Sequence, residues 1–194
     1  MGHRFGIHQG GKSGAAHRQA PRKNRRIHGA FRIAALPHPS AVLPAFKKLK
    51  DELQRGINDS ALCATDRYDL YSRLERIPKY NEVCHGNFIP SKVIISAETG
   101  KPYIIDWFHA TQGNAAADAA LTYLLLRMRS RHDLAEQYLT LFCEKSGIEP
   151  PYIRRWMPLV AASQTVAANA RTRTVLQQWI DAPEGEWETE GNNA

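Results

Sequence analysis

A change of hydrophobic period in the middle of the chain constrains the fold more than any other feature of the sequence. Apolar residues at helical spacing over 66–76 are followed by three short apolar runs typical of strands, at 82–85, 93–96 and 103–106. The last two runs are joined by residues 97–101, in which Gly100 can take the positive φ that a hairpin loop favours. Helical spacing returns after Gly113. The sequence therefore predicts a mostly helical α+β fold with one small β-hairpin.

Six helical segments are predicted around this hairpin. Ser40 is a good N-cap for the first, and Gly56 is predicted to end it. The other five are predicted at 66–76, 115–129, 133–146, 151–168 and 172–181. No stretch approaches the ~18–20 consecutive apolar residues that a membrane span requires, so we expect no membrane partner.

The positive charge of the chain is concentrated at its beginning. The net charge is +7, yet residues 1–50 contain 11 of the 26 lysines and arginines and no acidic residue. Residues 1–26 have few bulky apolar side chains, so we expect a disordered basic head there. Residues 182–194 are predicted to form a disordered acidic tail. Residues 27–181 then form the folded domain.

Polar residues that suit phosphate and metal chemistry surround the predicted hairpin. They occur in three segments: Cys84-His-Gly-Asn-Phe-Ile-Pro-Ser-Lys92, Tyr103-Ile-Ile-Asp-Trp107 and Gly113-Asn-Ala-Ala-Ala-Asp118. We expect the loop after one strand and the carboxylate at the end of a neighbouring strand to meet at one edge of the sheet. Such a carboxylate can hold a divalent cation, and the loop can supply a base and a second oxygen ligand. The alternative is that Asp106 only caps a turn.

These three segments resemble the catalytic and metal loops of the aminoglycoside phosphotransferases, within the phosphotransferase family that includes choline and homoserine kinases. That family has His-Gly-Asp-x-His-x-x-Asn, a short hairpin, Ile-Asp-Trp or Ile-Asp-Phe, and then a Gly-Asp-Pro-x-x-Asp-Leu-Ala-like turn into a helix. The resemblance covers roughly residues 28–181. It implies the C-terminal lobe of a protein-kinase-like fold, with ATP and Mg²⁺ as cofactors and a small-molecule hydroxyl as phosphoryl acceptor.

The resemblance also implies roles for particular residues. Asp106 corresponds to the family's metal-binding aspartate, which links Mg²⁺ to the nucleotide phosphates. His85 and Gly86 correspond to the start of the catalytic loop. Asp118 corresponds to a buried aspartate that steadies this loop through hydrogen bonds. The helices after residue 115 correspond to the part that shapes the acceptor pocket.

Three positions of the catalytic loop depart from the family pattern. Asn87 replaces the catalytic Asp, Ile89 replaces the second His, and Lys92 replaces the Asn that helps to hold the metal at the cofactor site. A neutral amide cannot take a proton near neutral pH, and losing a general base typically costs about 10²–10⁴ in rate. The ammonium of Lys92 repels a metal cation. We therefore expect weak or absent catalysis and weakened binding of ATP and Mg²⁺.

The resemblance predicts the C-terminal lobe alone. The family places a five-stranded nucleotide-binding lobe before the catalytic loop, whereas only 84 residues, without alternating strands, precede His85. One face of the hairpin would then be left for a missing N-terminal lobe or a partner protein. The alternative function is a non-catalytic, pseudokinase-like binding module.

Two patterns near the start of the chain favour other functions. Residues 6–13 match a phosphate-loop pattern, but only five residues precede it, too few for the strand that such a loop requires. The run Arg22-Lys-Asn-Arg-Arg26 has no interleaved aromatic residue and no recognisable nucleic-acid-binding motif. This favours a solvated tail over a nucleic-acid contact.

The cysteines indicate a reducing compartment. Cys63, Cys84 and Cys143 are odd in number and lack metal-ligand spacing, as expected for the reduced thiols of a cytoplasmic protein. Cys84 lies next to the catalytic loop, but no base is placed to activate it. We therefore expect a buried and unreactive thiol there.

Overall fold

The structure is a computed structural model that describes Ser40, Leu43 and residues 45–182. The predicted basic head at 1–26, the phosphate-loop pattern at 6–13 and the acidic tail beyond Ala182 lie outside the described residues.

Helices form most of the described chain, as the sequence predicts. The seven α-helices of these residues are α1 (Leu49–Asp59), α2 (Ala64–Arg76), α3 (Ala115–Met128), α4 (His132–Ser146), α5 (Pro150–Arg154), α6 (Met157–Gln164) and α7 (Ala170–Asp181). None of them is both long enough and apolar enough to cross a bilayer.

The strands are short and form two separate sheets. They are β1 (Lys47–Lys48), β2 (Glu82–Cys84), β3 (Val93–Ile95), β4 (Pro102–Ile104) and β5 (Thr111–Gly113). In the first sheet, β5 pairs parallel with β1 and antiparallel with β2. In the second sheet, β3 and β4 form the predicted hairpin, with Ile94 opposite Tyr103. Its loop contains Gly100 at φ +66°.

Helix α3 is the centre of the hydrophobic core. It is rich in Ala and Leu, which have high helix propensity, and its N-cap Asn114 accepts a hydrogen bond from the Ala116 N–H at 2.7 Å. The helix packs against α4, α5 and α6. Leu124, Phe142 and Leu159 are fully buried in this core. A buried helix therefore packs next to the polar loops.

The start of α1 differs from the prediction. Ser40 was predicted to cap this helix, but the helix begins at Leu49, because Lys47 and Lys48 pair with β5 instead. The Lys48 Nζ also donates a 2.6 Å hydrogen bond to the side-chain oxygen of Gln112. Pro44 lacks the N–H that a continuous helix through this segment would use.

The predicted end of α1 and the predicted helix at 151–168 were also wrong. Gly56 does not end α1; its Cα lies so close to α6 that a Cβ there would be 2.7 Å from the Cβ of Ser163. The segment 151–168 is divided into α5 and α6 around the buried Trp156. Pro158, in the first turn of α6, cannot donate the backbone hydrogen bond that one continuous helix needs.

The arrangement of the strands corrects one further prediction. The strand before His85 and the strand before Asp106 were expected to be neighbours in one sheet, but β2 pairs with β5, and β4 pairs with β3. Their ends are adjacent all the same, because His85 Nε2 lies 3.0 Å from the Ile105 carbonyl oxygen. A side-chain contact, rather than a shared strand ladder, joins the two polar loops.

Candidate active site

The buried carboxylate of Asp118 fixes the position of the loop that follows β2. The backbone N–H groups of His85 and Gly86 donate to Asp118 Oδ2 at 2.7 Å and to Oδ1 at 2.8 Å. Asp118 lies in the first turn of α3 and is 4% exposed. The amino end of a helix stabilises a negative charge, so this position suits a buried carboxylate. The central helix therefore sets the position of the loop.

Gly86 brings this loop against the segment that carries Asp106. Its φ is +75°, and a Cβ at this position would lie 2.2 Å from the carbonyl oxygen of His109. Only a residue without a side chain fits both this backbone conformation and this approach. The loop at 85–92 and the 3-10 turn at Trp107–His109 are thus in direct contact.

His85 connects the same two segments through its ring. The ring Nδ1 accepts a 3.2 Å hydrogen bond from the Asn87 N–H, so Nε2 carries the proton and donates to the Ile105 carbonyl oxygen. The ring also lies 4.8 Å from that of Trp107, measured between centroids, and is 3% exposed. Both nitrogens are engaged in backbone contacts, which favours a positioning function over proton transfer.

Asp106 adopts an unusual backbone conformation at the end of the hairpin. Its φ and ψ are 64° and 57°, in the left-handed region, directly before the 3-10 turn. Asp tolerates this region better than most residues do, but the conformation is uncommon enough to point to a functional constraint. This conformation turns the chain two residues after β4 ends at Ile104, and the Trp107 indole N–H donates to the Ile104 carbonyl oxygen at 3.0 Å.

The carboxylate of Asp106 is in contact with the ammonium of Lys92. Lys92 Nζ donates to Asp106 Oδ2, and the side chains are 23% and 38% exposed respectively. The hydrogen bond from Lys92 is the main cause that holds the pKa of Asp106 below its usual value. The positive charge of Lys92 acts in the same direction, and partial desolvation opposes it. Asp106 is therefore ionised and paired with a lysine.

These residues do not fit a magnesium ion. Mg²⁺ requires oxygen ligands, and here an ammonium contacts the one carboxylate that was predicted to bind the metal. Among the residues that the structure describes, no three His, Cys, Asp or Glu side chains are grouped so that they could hold a metal. The positions predicted for metal and cofactor, Asp106 and Lys92, thus bond to each other.

A cavity beside the loop was not predicted from the sequence. It has a volume of about 480 Å³ and lies between α1, α6 and the turn after Asp106; Leu49, Leu53, Gly86, His109 and Ser163 are among its lining residues. Glu82 was also missed. Its carboxylate accepts a 2.8 Å hydrogen bond from the Ala115 N–H and so helps to fix the start of α3. A sequence signal for either feature is lacking, because the residues that form them are far apart in the chain.

The thiol of Cys84 is buried, as the sequence predicts. It is 0% exposed, and its Sγ lies 3.5 Å from the Asn114 carbonyl oxygen. Burial, with a smaller contribution from the negative charges of Asp118 and Glu82, raises the pKa of this thiol. The thiol is therefore protonated throughout the range in which thiol reagents are used.

This state of Cys84 predicts the order in which the three cysteines react. Cys63 is exposed and should react first with a chromogenic disulfide at mildly alkaline pH, whereas Cys143 is partly buried and should react more slowly. Cys84 should react only after the protein is unfolded in denaturant. Titration of the native and the unfolded chain, with the Cys84→Ser variant to assign the protected thiol, measures this. Rapid labelling of Cys84 in the native chain would contradict the packing described here.

Comparison with known proteins identifies the class to which this chain belongs, which is that of the phosphotransferases. The model of the phosphotransferase enzyme family, APH, matches residues 9–159. The chain belongs to this family. A search of curated protein sequences found no match.

Two solved structures show the same fold at low sequence identity. The structure of LicA in complex with AMP is 14% identical, with a TM-score of 0.57 over 81% of this chain. The ethanolamine kinase of Plasmodium vivax is 11% identical, with a TM-score of 0.51 over 82% of this chain. The match covers 63% and 60% of those two chains, respectively. The predicted mostly helical, kinase-like lobe with a small hairpin is therefore confirmed.

Proposed function

We propose that this chain binds a nucleotide and a small hydroxyl-bearing molecule, and that its phosphoryl transfer is weak or absent. The observation that carries this proposal is the neutral amide of Asn87, in a loop that is otherwise held firmly in position. Asp118 and His85 fix this loop against the segment of Asp106. An amide cannot accept the proton of an attacking hydroxyl, so the position lacks a general base.

The class of ligand is inferred from the fold and from the cavity. LicA was solved with AMP bound, and the Plasmodium vivax protein is an ethanolamine kinase, which supports a nucleotide and a small alcohol as ligands here. A cavity of about 480 Å³ beside the catalytic loop has the volume of a small-molecule site. ATP is therefore the proposed nucleotide, whereas the residues present do not fit Mg²⁺ as its partner.

The proposed cellular location of this function is inferred from the thiols. All three cysteines are free, including the exposed Cys63. Exposed free thiols persist in reducing compartments, which supports a cytoplasmic location as part of the proposal. The domain proposed to act there is the segment predicted at 27–181.

A non-catalytic binding module is the second candidate, and the contact between Lys92 and Asp106 favours it. The hairpin also exposes apolar side chains: Ile94 is 52% exposed and Tyr103 is 55% exposed. The sequence predicts that a nucleotide-binding lobe or a partner protein covers this face, and this stays a prediction.

Restoring the family residues in the loop tests the proposed function. Transfer from ATP to ethanolamine or to an aminoglycoside should be at background level for the unmodified chain, with or without Mg²⁺. The double variant Asn87→Asp, Lys92→Asn should be faster by about 10²–10⁴ when Mg²⁺ is present, because it regains a base and an oxygen ligand. Release of ADP, followed in a coupled assay, measures the rate.

Ser91→Ala is the matched control for this experiment. Ser91 lies in the same loop between the altered positions and is exposed, so its loss should leave the rate unchanged. Turnover by the unmodified chain that equals that of the double variant would show that Asn87 does not impair the reaction.

A further inference from the structure

Lys92 is held in place by the hairpin rather than extended freely into solvent. Its N–H donates to the Ile89 carbonyl oxygen at 2.9 Å, and its carbonyl oxygen accepts from the Ile105 N–H at 2.9 Å. These bonds fix its backbone to the loop before β3 and to Ile105, the residue that directly precedes Asp106. Its side chain is 23% exposed and ends on the Asp106 carboxylate. The ammonium is thus a built-in part of the site.

The charges of three positions in this site sum to zero. Asn87 is neutral, Lys92 carries +1 and Asp106 carries −1, so the sum is 0. With the family pattern of Asp at 87 and Asn at 92, the same three positions would sum to −2. The two substitutions therefore add two positive charges, which is the charge that one Mg²⁺ ion brings.

Because of this charge balance, a phosphate can approach the site without a cation to offset the repulsion from two carboxylates. Two carboxylates repel a phosphate unless a cation lies between them and the phosphate oxygens. Here one carboxylate remains, and an ammonium already contacts it. An ammonium has three N–H donors, and the bond to Asp106 uses one, which leaves two for phosphate oxygens.

We propose that the ammonium of Lys92 takes the place of the divalent cation, so that this chain binds the phosphates of a nucleotide without a metal ion. The proposal rests on the nucleotide binding put forward above and adds its mechanism. A divalent cation at Asp106 would have to displace the ammonium and then lie beside it, which like charges disfavour. The site therefore needs no metal ion to bind an anionic ligand.

Binding of ADP in the presence of EDTA and in the presence of excess Mg²⁺ tests this proposal. Calorimetry on the unmodified chain should give the same affinity in both solutions, within about twofold. Lys92→Met should weaken binding about tenfold to a hundredfold in both, because it removes a charged donor and supplies no metal ligand. Lys92→Asn should also bind weakly in EDTA but should regain affinity when Mg²⁺ is added.

Lys101→Met is the matched control, because it removes the same charge from an exposed position in the loop of the same hairpin. It should bind ADP like the unmodified chain in both solutions. Equal losses for Lys92→Met and Lys101→Met would show a general effect of charge and would overturn the proposal. Binding by the unmodified chain only when Mg²⁺ is present would also overturn it, while leaving the proposed nucleotide binding intact.

A measurement with metal alone separates this inference from the proposed function. Trp107 follows Asp106 directly, so Tb³⁺ bound to that carboxylate should emit when the indole is excited. Emission should be absent for the unmodified chain and present for Lys92→Asn. If no ADP binds in either solution, the proposed function fails, and the terbium result alone decides whether Lys92 excludes a metal. Emission from the unmodified chain would refute that exclusion.

Discussion

Gly86→Ala is expected to lower the free energy of unfolding by about 2–5 kcal/mol. The left-handed backbone of Gly86, at φ +75°, costs about 1–2 kcal/mol for a residue with a Cβ. The Cβ would also lie 2.2 Å from the His109 carbonyl oxygen, and forced repacking of this kind costs about 1–3 kcal/mol. The strain falls on the contact that brings the loop at 85–92 to the segment of Asp106. Urea unfolding followed by circular dichroism measures the loss.

Gly100→Ala separates the two causes of this loss. Gly100 has nearly the same φ, +66°, but nothing lies within 4 Å of the position that its Cβ would take. The variant should therefore lose only the conformational part, about 1–2 kcal/mol. Equal losses for the two variants would show that Gly86 is not in tight contact with the turn at 107–109. The same result would remove the argument that the two loops form one site.

Asp118→Ala is expected to be as damaging, with a loss of about 2–6 kcal/mol in the free energy of unfolding. The carboxylate is buried and accepts hydrogen bonds from two backbone N–H groups, those of His85 and Gly86. Each buried donor left without a partner costs about 1–3 kcal/mol. The loop should also lose its fixed position, so ADP binding should weaken together with stability. Denaturant unfolding and calorimetry measure the two effects.

Asp133→Ala is the matched control for Asp118→Ala. Asp133 also lies in the first turn of a helix, α4, but it is exposed to solvent. Its removal should cost only its interaction with the helix dipole, about 0.3–1 kcal/mol. A comparable loss for the two variants would mean that Asp118 acts only through the dipole of its own helix. The loop would then be held by other contacts.

Local patterns in the sequence predicted much of the fold. The helices at 66–76 and 133–146 and the hairpin with Gly100 are confirmed to within one or two residues at their ends. Each of these depends on periodicity and on turn residues that are close together in the chain. The phosphotransferase family, which the sequence analysis inferred from three motifs in order, is confirmed as well.

Local sequence patterns did not predict pairing between segments that are far apart in the chain. Lys47 and Lys48 carry no strand signal and become a strand only because β5, some 64 residues later, lies beside them. From the sequence alone, Gly56 is predicted to end a helix. In the structure it is instead the point where α1 contacts Ser163 of α6. In both cases a distant partner outweighs the local propensity.

The candidate site shows the same division between sequence and structure. The residue types at 87, 92 and 106 by themselves determine that residue 87 is a neutral amide and that the charges of these three positions sum to zero, since charge and basicity belong to the side chain. Only the tertiary structure decided that the ammonium of Lys92 lies on the carboxylate of Asp106 and that both nitrogens of His85 are in use. The physical reason is that such contacts depend on the direction in which each backbone segment presents its side chain. That direction is set by the turns and by the buried helix behind them.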